Sequence, residues 1–384
     1  MDFGLRRRLA NNTENVILDG AIISRLRADV ADLFEVTEVS TPRQAQQGVV
    51  VFTGRLLTND ADWAYQLLAQ RWAHHDYTPL LRKVQGGHQI IGRPGLVKPR
   101  PANPWINLGL FVATVLSVVL MGALNEGVNP LTDPSSIVEG IPFAFTLLAI
   151  LGTHEFGHYF AARRHGVAVT LPYFIPMPLS FVGTLGAVIL LRSPMRNRNQ
   201  LFDVGVAGPL AGLVVAIPLL LYGLALSSVE PLPPEGGYVL EGNSLLYLGA
   251  KYLIHGQILP GNGLDVMLHP MAFAAWFGLL VTAINLLPVG QLDGGHVIFA
   301  LVGDSMRYVG ILFATSLLVM GVTLWQGWIW AVLIFLLLLR GKVGHPPPLN
   351  DITPLDGKRQ FLGLVVILIF ILVFVPVPLT FVAA

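Results

Sequence analysis

Cysteine is absent from all 384 residues, and charge is scarce. The first absence excludes disulfides and thiolate ligands, so any bound metal has to rely on His, Asp or Glu. The second sets the chain apart from soluble proteins: 12% of its residues are charged, against about 25% in a typical globular domain. An excess of one sign is missing too. The 24 Lys and Arg stand against 23 Asp and Glu, a formal net charge of +1. The basic residues are scattered, so no nucleic-acid partner is expected. Met1 to Asn12 holds Arg6-Arg7-Arg8 with no apolar run behind it, so neither a secretory signal nor a transit peptide is expected.

What the chain has in place of charge is apolar sequence, 53% of it, in runs long enough to cross a bilayer. Residues 1–98 hold a large share of the charges and read as a small soluble domain. A helix is expected over Ala21 to Phe34 and a second over Asp60 to His74, opened by an Asn59/Asp60 cap. Strands are expected at Val49 to Phe52, Thr78 to Val84 and His88 to Ile91, the last two joined at Gly86-Gly87. Residues 99–104 form a linker and residues 105–384 a transmembrane domain. Spans are expected near 105–124, 141–164, 201–226, 271–289, 307–325, 327–340 and 361–382. Pro or Gly interrupts two further apolar pieces, 171–191 and 294–303, which suit re-entrant or sheet-like segments. The fold class is thus a mostly α, polytopic membrane helix bundle with a re-entrant or β-like segment, plus a small α+β soluble N-terminal domain.

Charge in the loops orients these spans. Arg163 and Arg164 end the second span, Arg192, Arg196 and Arg198 precede the third, and Arg340, Lys342, Lys358 and Arg359 flank the last two. Lys251 is the one Lys or Arg in loops 125–140 and 227–270, where acidic residues dominate. The N-terminus is therefore expected on the cytoplasmic side, or the stromal side in a plastid, with the C-terminus opposite. Trp105, Trp325, Trp328 and Trp330 read as an interfacial belt.

The second span carries His154-Glu155-Phe156-Gly157-His158. Residues four apart share a helix face, so both imidazoles point one way. In this HExxH pattern the two His bind Zn²⁺ and the Glu serves as general base toward water. Two core histidines are the plainer reading, but ionisable groups in an apolar span are costly without a function. A catalytic zinc needs a third protein ligand, and Asp293 is the candidate. It lies in Asn285-Leu-Leu-Pro288-Val-Gly-Gln-Leu-Asp293-Gly-Gly295, after a span that ends on the same side. His296 reads as a fourth ligand, a proton shuttle or, preferably, packing beside the site. Asp203 reads as the partner of a helix dipole.

The pair HEFGH and NLLPVGQLDGG resembles the site-2 protease family of intramembrane metalloproteases. Leu171-Pro-Tyr-Phe-Ile-Pro-Met-Pro178, Gly183-Thr-Leu-Gly186 and the run from Asp203 to Gly212 are closer to its plant-plastid and cyanobacterial subgroup. The resemblance covers roughly residues 105–305, with a catalytic core over 141–305. It implies one Zn²⁺ per chain on His154, His158 and Asp293, Glu155 as base, and Asn285 as stabiliser of the oxyanion. It implies peptide hydrolysis in or near transmembrane segments of membrane-protein substrates. Segment 171–191 is either an edge that docks an extended peptide or a lipid-anchoring re-entrant loop.

Two other readings stay open from sequence: an ion- or proton-coupled transporter, and a catalytically silent relative. Residues 1–98 are the candidate surface for a regulatory partner or a second copy. A bacterial inner membrane and a plastid membrane both fit, the first favoured by the lack of a recognisable transit peptide.

Overall fold

The computed structural model describes residues 20–42, 48–99, 102–232, 237–323, 330, 332 and 345–382. The chain divides into two compact units. The first joins the residues up to Pro99 with two later segments, Ser193–Arg198 and Pro347–Pro354; the second holds the remainder.

The first unit is built from two helix–strand–strand halves. Helix α1 (Gly20–Val30) leads into β1 (Phe34–Ser40) and β2 (Val50–Leu56), and α2 (Ala61–Ala73) leads into β3 (Tyr77–Val84) and β4 (Gly87–Pro94). The strands form one antiparallel sheet in the order β1-β2-β4-β3. The Asp60 carboxylate caps α2 by accepting from the Trp63 amide at 2.9 Å, satisfying a helix-end donor. Leu26, Val30, Phe34, Phe52, Leu68, Trp72 and Ile90 form the core between helices and sheet. Strand β1 was not expected. The first helix stops at Val30 because Phe34 already belongs to the strand. The later segments are sewn onto β3: the Leu81 amide donates to the Leu349 carbonyl at 2.8 Å and the Asp351 amide to Leu81 at 3.1 Å. Asp351 also accepts from Arg198 at 2.9 Å.

The second unit is mostly helical. Among the described residues, four helices are long and apolar enough to cross a membrane: Pro104–Asn125, Pro134–Arg164, Arg198–Ala225 and Asp293–Thr323. The first is α3. The second is a 3-10 turn running into α4 (Ile141–Arg164), and the third is α5 (Arg198–Ala225). A surface helix α6 (Leu245–His255) lies in the long loop after it, and α7 (Pro270–Asn285) follows. At 16 residues, α7 is about 24 Å long, shorter than the expected span 271–289. Its end is set by the turn through Leu286, Leu287 and Pro288, with Gly290 at φ 60°.

The expected interruption at 294–303 is replaced by helix. There α8 (Asp293–Val302) continues through a 3-10 turn into α9 (Met306–Thr323). Gly294 and Gly295 do not break it; they let α8 start directly over the preceding turn. A Cβ at 294 would meet the Leu286 carbonyl at 1.9 Å, and one at 295 the Gly290 carbonyl at 2.4 Å. The expected span 327–340, with Trp325 and Trp328, falls almost entirely outside the described residues. Trp330 is described and faces the protein interior. It is fully buried, and its indole donates to the Pro376 carbonyl at 2.9 Å. In place of a continuous span over 361–382, α10 (Gly357–Val373) is followed by strand β10 (Leu379–Val382).

Three two-stranded sheets complete this unit: β5 (Tyr173–Pro176) with β6 (Thr184–Val188), β7 (Ser228–Pro231) with β9 (Leu264–Met267), and β8 (Tyr238–Glu241) with β10. The β5–β6 hairpin occupies segment 171–191 and hangs on α3 through polar side chains. Asn107 donates to the Leu171 carbonyl at 2.8 Å, Ser117 to Gly183 at 2.6 Å and Asn125 to Phe181 at 2.8 Å. The Gly183 carbonyl also accepts from the Met177 amide at 3.0 Å; in an apolar setting main-chain carbonyls need such donors.

Candidate metal centre

Helix α4 carries the first half of the site. It ends where His165 caps it and Gly166 turns left-handed at φ 69°, a common helix stop. Upstream, His154 and His158 sit one turn apart on its inner face, at 3% and 6% exposure, with Glu155 at 7%. Asp293 arrives from α8, of which it is the first residue. Its Oδ2 lies 3.3 Å from His154 Nε2 and 3.2 Å from His158 Nε2, and the two Nε2 atoms are 3.1 Å apart.

The triangle fits a zinc ion. With bonds of about 2.0–2.1 Å to nitrogen and oxygen, a tetrahedral zinc spaces its ligand atoms about 3.3–3.4 Å apart. The three measured edges fall just inside that figure. Among the described residues, His154, His158 and Asp293 form the one group of three or more such side chains close enough to hold a metal.

The surroundings fix these side chains. The Val204 carbonyl lies 2.7 Å from His158 Nδ1. A carbonyl only accepts, so Nδ1 carries the proton and Nε2 keeps its lone pair for a metal. Helix α5 comes this close because it presents glycine. A Cβ at 208 would sit 2.1 Å from His158 Nε2, and one at 212 would sit 3.3 Å from His154 Cβ. On the α4 side, a Cβ at Gly157 would meet the Ala207 carbonyl at 2.5 Å. Asn285, the last residue of α7, holds its Nδ2 3.2 Å from His154 Nε2. The Ile189 amide, one residue beyond β6, faces the Glu155 carboxylate.

All five residues singled out in the sequence thus meet in one place. Two further contributors were not anticipated: the Val204 carbonyl and the Ile189 amide. Both are main-chain groups, which no side-chain pattern announces. His345 lies beyond the last-but-one apolar run, and its Nε2 is 2.7 Å from Nδ1 of His296. Burial, then the neighbouring His296, pushes His345 down to about 3, so it is neutral near neutrality. His296 is half-buried against α5, where a Cβ at Gly205 would touch its own Cβ at 2.8 Å. It belongs to packing beside the triangle and does not join it.

Two imidazoles and one carboxylate beside a buried glutamate, on helices apolar enough to span a bilayer, define the class of membrane metallopeptidases. Comparison with known proteins agrees. Residues 142–323 match peptidase family M50. The probable zinc metalloprotease EGY2, chloroplastic, of Oryza sativa subsp. indica is 34% identical over 403 residues, spanning 98% of this chain and 70% of the relative. Its namesake in Arabidopsis thaliana is 33% identical over 76% of this chain and 52% of the relative. The probable zinc metalloprotease EGY1, chloroplastic, of Arabidopsis thaliana is 30% identical over 76% and 58%. No solved structure matches the chain. The chain belongs to peptidase family M50, the site-2 protease family, and is an intramembrane zinc metalloendopeptidase.

Proposed function

We propose that His154, His158 and Asp293 hold the zinc ion, that Glu155 is the general base and acid, and that Asn285 steadies the developing oxyanion. The observation that carries this reading is the triangle of donor atoms with edges of 3.1 to 3.3 Å. When bound, zinc supplies a Lewis acid that makes water acidic and polarises a peptide carbonyl. Glu155 takes a proton from the attacking water and returns it to the leaving amine. The Ile189 amide is a donor that faces its carboxylate. Asn285 Nδ2 is a donor on the site's α7 side, where it can meet negative charge that builds on the carbonyl oxygen.

The substrate is a membrane protein, cut in or near a transmembrane segment. A helical segment keeps its carbonyls in internal hydrogen bonds, so it must open before attack. Strand β6 offers an edge for the opened segment, and the residue that follows β6 touches the base. We place the N-terminal side in the cytoplasm or stroma. Arg163, Arg164 and Arg359 lie at helix ends where α4, α5 and α10 meet, and basic residues favour that side. The relatives are named as chloroplastic; for this chain a bacterial inner membrane is the other setting. About seven spans are proposed, α7 and α10 being short ones. Residues 1–98 are proposed as a separate soluble domain that meets a regulatory partner or a second copy.

The test is zinc content and cleavage, measured together on purified protein. Glu155→Gln is expected to abolish cleavage with zinc retained, and Asp293→Ala to lose zinc. Undiminished cleavage by Glu155→Gln sinks the mechanism.

A further inference from the structure

Asp203 lies six residues into α5. The influence of a helix dipole fades within the first turn, so complementing that dipole does not account for a carboxylate here. Its contacts do. Arg359, in the first turn of α10, grips it with both prongs of its guanidinium: Nε donates to Oδ1 and NH2 to Oδ2, each at 2.6 Å. His165, the residue that caps α4, places Nε2 2.7 Å from the same Oδ2. Asp356, which caps α10, binds Arg359 from the other side, and its own amide donates to Asn199 Oδ1 at 3.3 Å. One carboxylate therefore ties the ends of three helices.

The next residue after Asp203 is Val204, whose carbonyl accepts from His158 Nδ1. Helix α4 is thus joined to α5 at two consecutive residues, by His165 at one and by His158 at the other. The two histidines are seven apart, about two turns along one face of α4. Rotation or slippage of the start of α5 would move both contacts together.

We infer that Asp203 is a positioning residue for the metal centre: clamped by Arg359 and His165, it holds the Val204 carbonyl where it fixes the tautomer and ring plane of His158. A carbonyl that orients a metal-binding imidazole makes Nε2 a better donor and sets its direction. Arg359 serves this role through its planar fork, which a lysine does not reproduce. The inference rests on His158 being a zinc ligand, as proposed above.

The test uses the full chain in detergent micelles. Zinc affinity is measured by chelator competition, the electronic spectrum after cobalt substitution, and melting alongside. Asp203→Asn and Arg359→Gln are each expected to weaken zinc about tenfold, in the range for groups that support a metal ligand, and to shift the cobalt bands. The double variant is expected to be no weaker than either single one, because both break one clamp. Arg359→Lys keeps the charge and is expected to weaken zinc several-fold; it decides the matter if Asp203→Asn does not fold. A purely structural role lowers the melting point yet leaves the folded protein with unchanged zinc affinity and cobalt spectrum, and that result overturns the inference. His158→Ala separates the two readings. If it keeps zinc, the assignment of the ligands is wrong; if it loses zinc while Asp203→Asn binds normally, only the clamp is wrong.

Discussion

Position 208 of α5 lies directly against the imidazole of His158, so close that a Cβ there would be 2.1 Å from Nε2. No rotamer change relieves this, because His158 is also tied at Nδ1 to Val204. Gly208→Ala is therefore expected to expel His158 from the triangle and to cut zinc affinity and cleavage by at least about a hundredfold, the loss of a ligand rather than of its support. Gly249→Ala, on the surface helix α6 with nothing within 4 Å, is the control and should be neutral or slightly stabilising. Wild-type zinc binding in Gly208→Ala would contradict this packing.

Lys251 has no exposed surface, and its ammonium sits between Glu241 at 2.8 Å and Asp265 at 3.3 Å. The Tyr247 hydroxyl donates to the same Glu241 oxygen at 2.9 Å. Removing one partner of such a buried group leaves uncompensated charge, at a cost of about 3 kcal/mol or more. Lys251→Met is expected to lower the melting point, and Lys251→Met with Glu241→Gln and Asp265→Asn to regain most of the loss. Zinc affinity should not move in either. An unchanged melting point for Lys251→Met would show that the cluster carries no stability.

His88 gives the first unit a dependence on acid. Its Nδ1 accepts from the Leu56 amide at 3.3 Å, which requires an unprotonated nitrogen. Burial, followed by the charges of Lys83 and Arg55, holds its pKa below 6.5. The unfolded chain therefore takes up the proton first as pH falls. Stability from this group is complete above about pH 6.5 and is lost progressively below it, down to the folded pKa. Amide hydrogen exchange in β2 and β4 of the full chain, compared at pH 7.5 and 5.5, should show protection falling in acid. His88→Gln should flatten that change, and equal slopes in both proteins would exclude His88 as its source.

Much of this arrangement was legible because it is periodic or paired in the chain. His154 and His158 fall one helical turn apart, and Asn285 and Asp293 bracket a Pro- and Gly-bearing turn after an apolar run. What escaped depends on distance in sequence or on the main chain. Asp203 and Arg359 are far apart in sequence, so a carboxylate near a span start looks like a dipole partner until α10 is in place. Lys251 sits in a loop that reads as surface, yet it is fully buried. Gly294 and Gly295 read as an interruption, whereas they permit α8 to start against the carbonyls of the turn before it. Strand β1, Phe-Glu-Val-Thr-Glu-Val-Ser, alternates as a half-buried strand should, and it was overshadowed by the helix pattern running into Phe34.

The amide of Ile189 faces Glu155, the proposed base, from the end of the β5–β6 hairpin. A hydrogen bond to a charged group contributes about 1.5–3 kcal/mol. Losing it leaves Glu155 anchored by its helix alone, in a site where a small misplacement slows proton transfer. Ile189→Pro removes that donor and nothing polar besides, since proline lacks the N–H. Cleavage is expected to fall roughly ten- to a hundredfold by the same arithmetic, with zinc bound as in the wild type because no ligand is touched. Ile189→Ala keeps the amide and shortens the side chain, so it should retain most of the activity. If alanine and proline slow the enzyme equally, the side chain at 189 matters and the amide does not. If proline alone does so and zinc stays in place, the hairpin acts on Glu155 through its main chain.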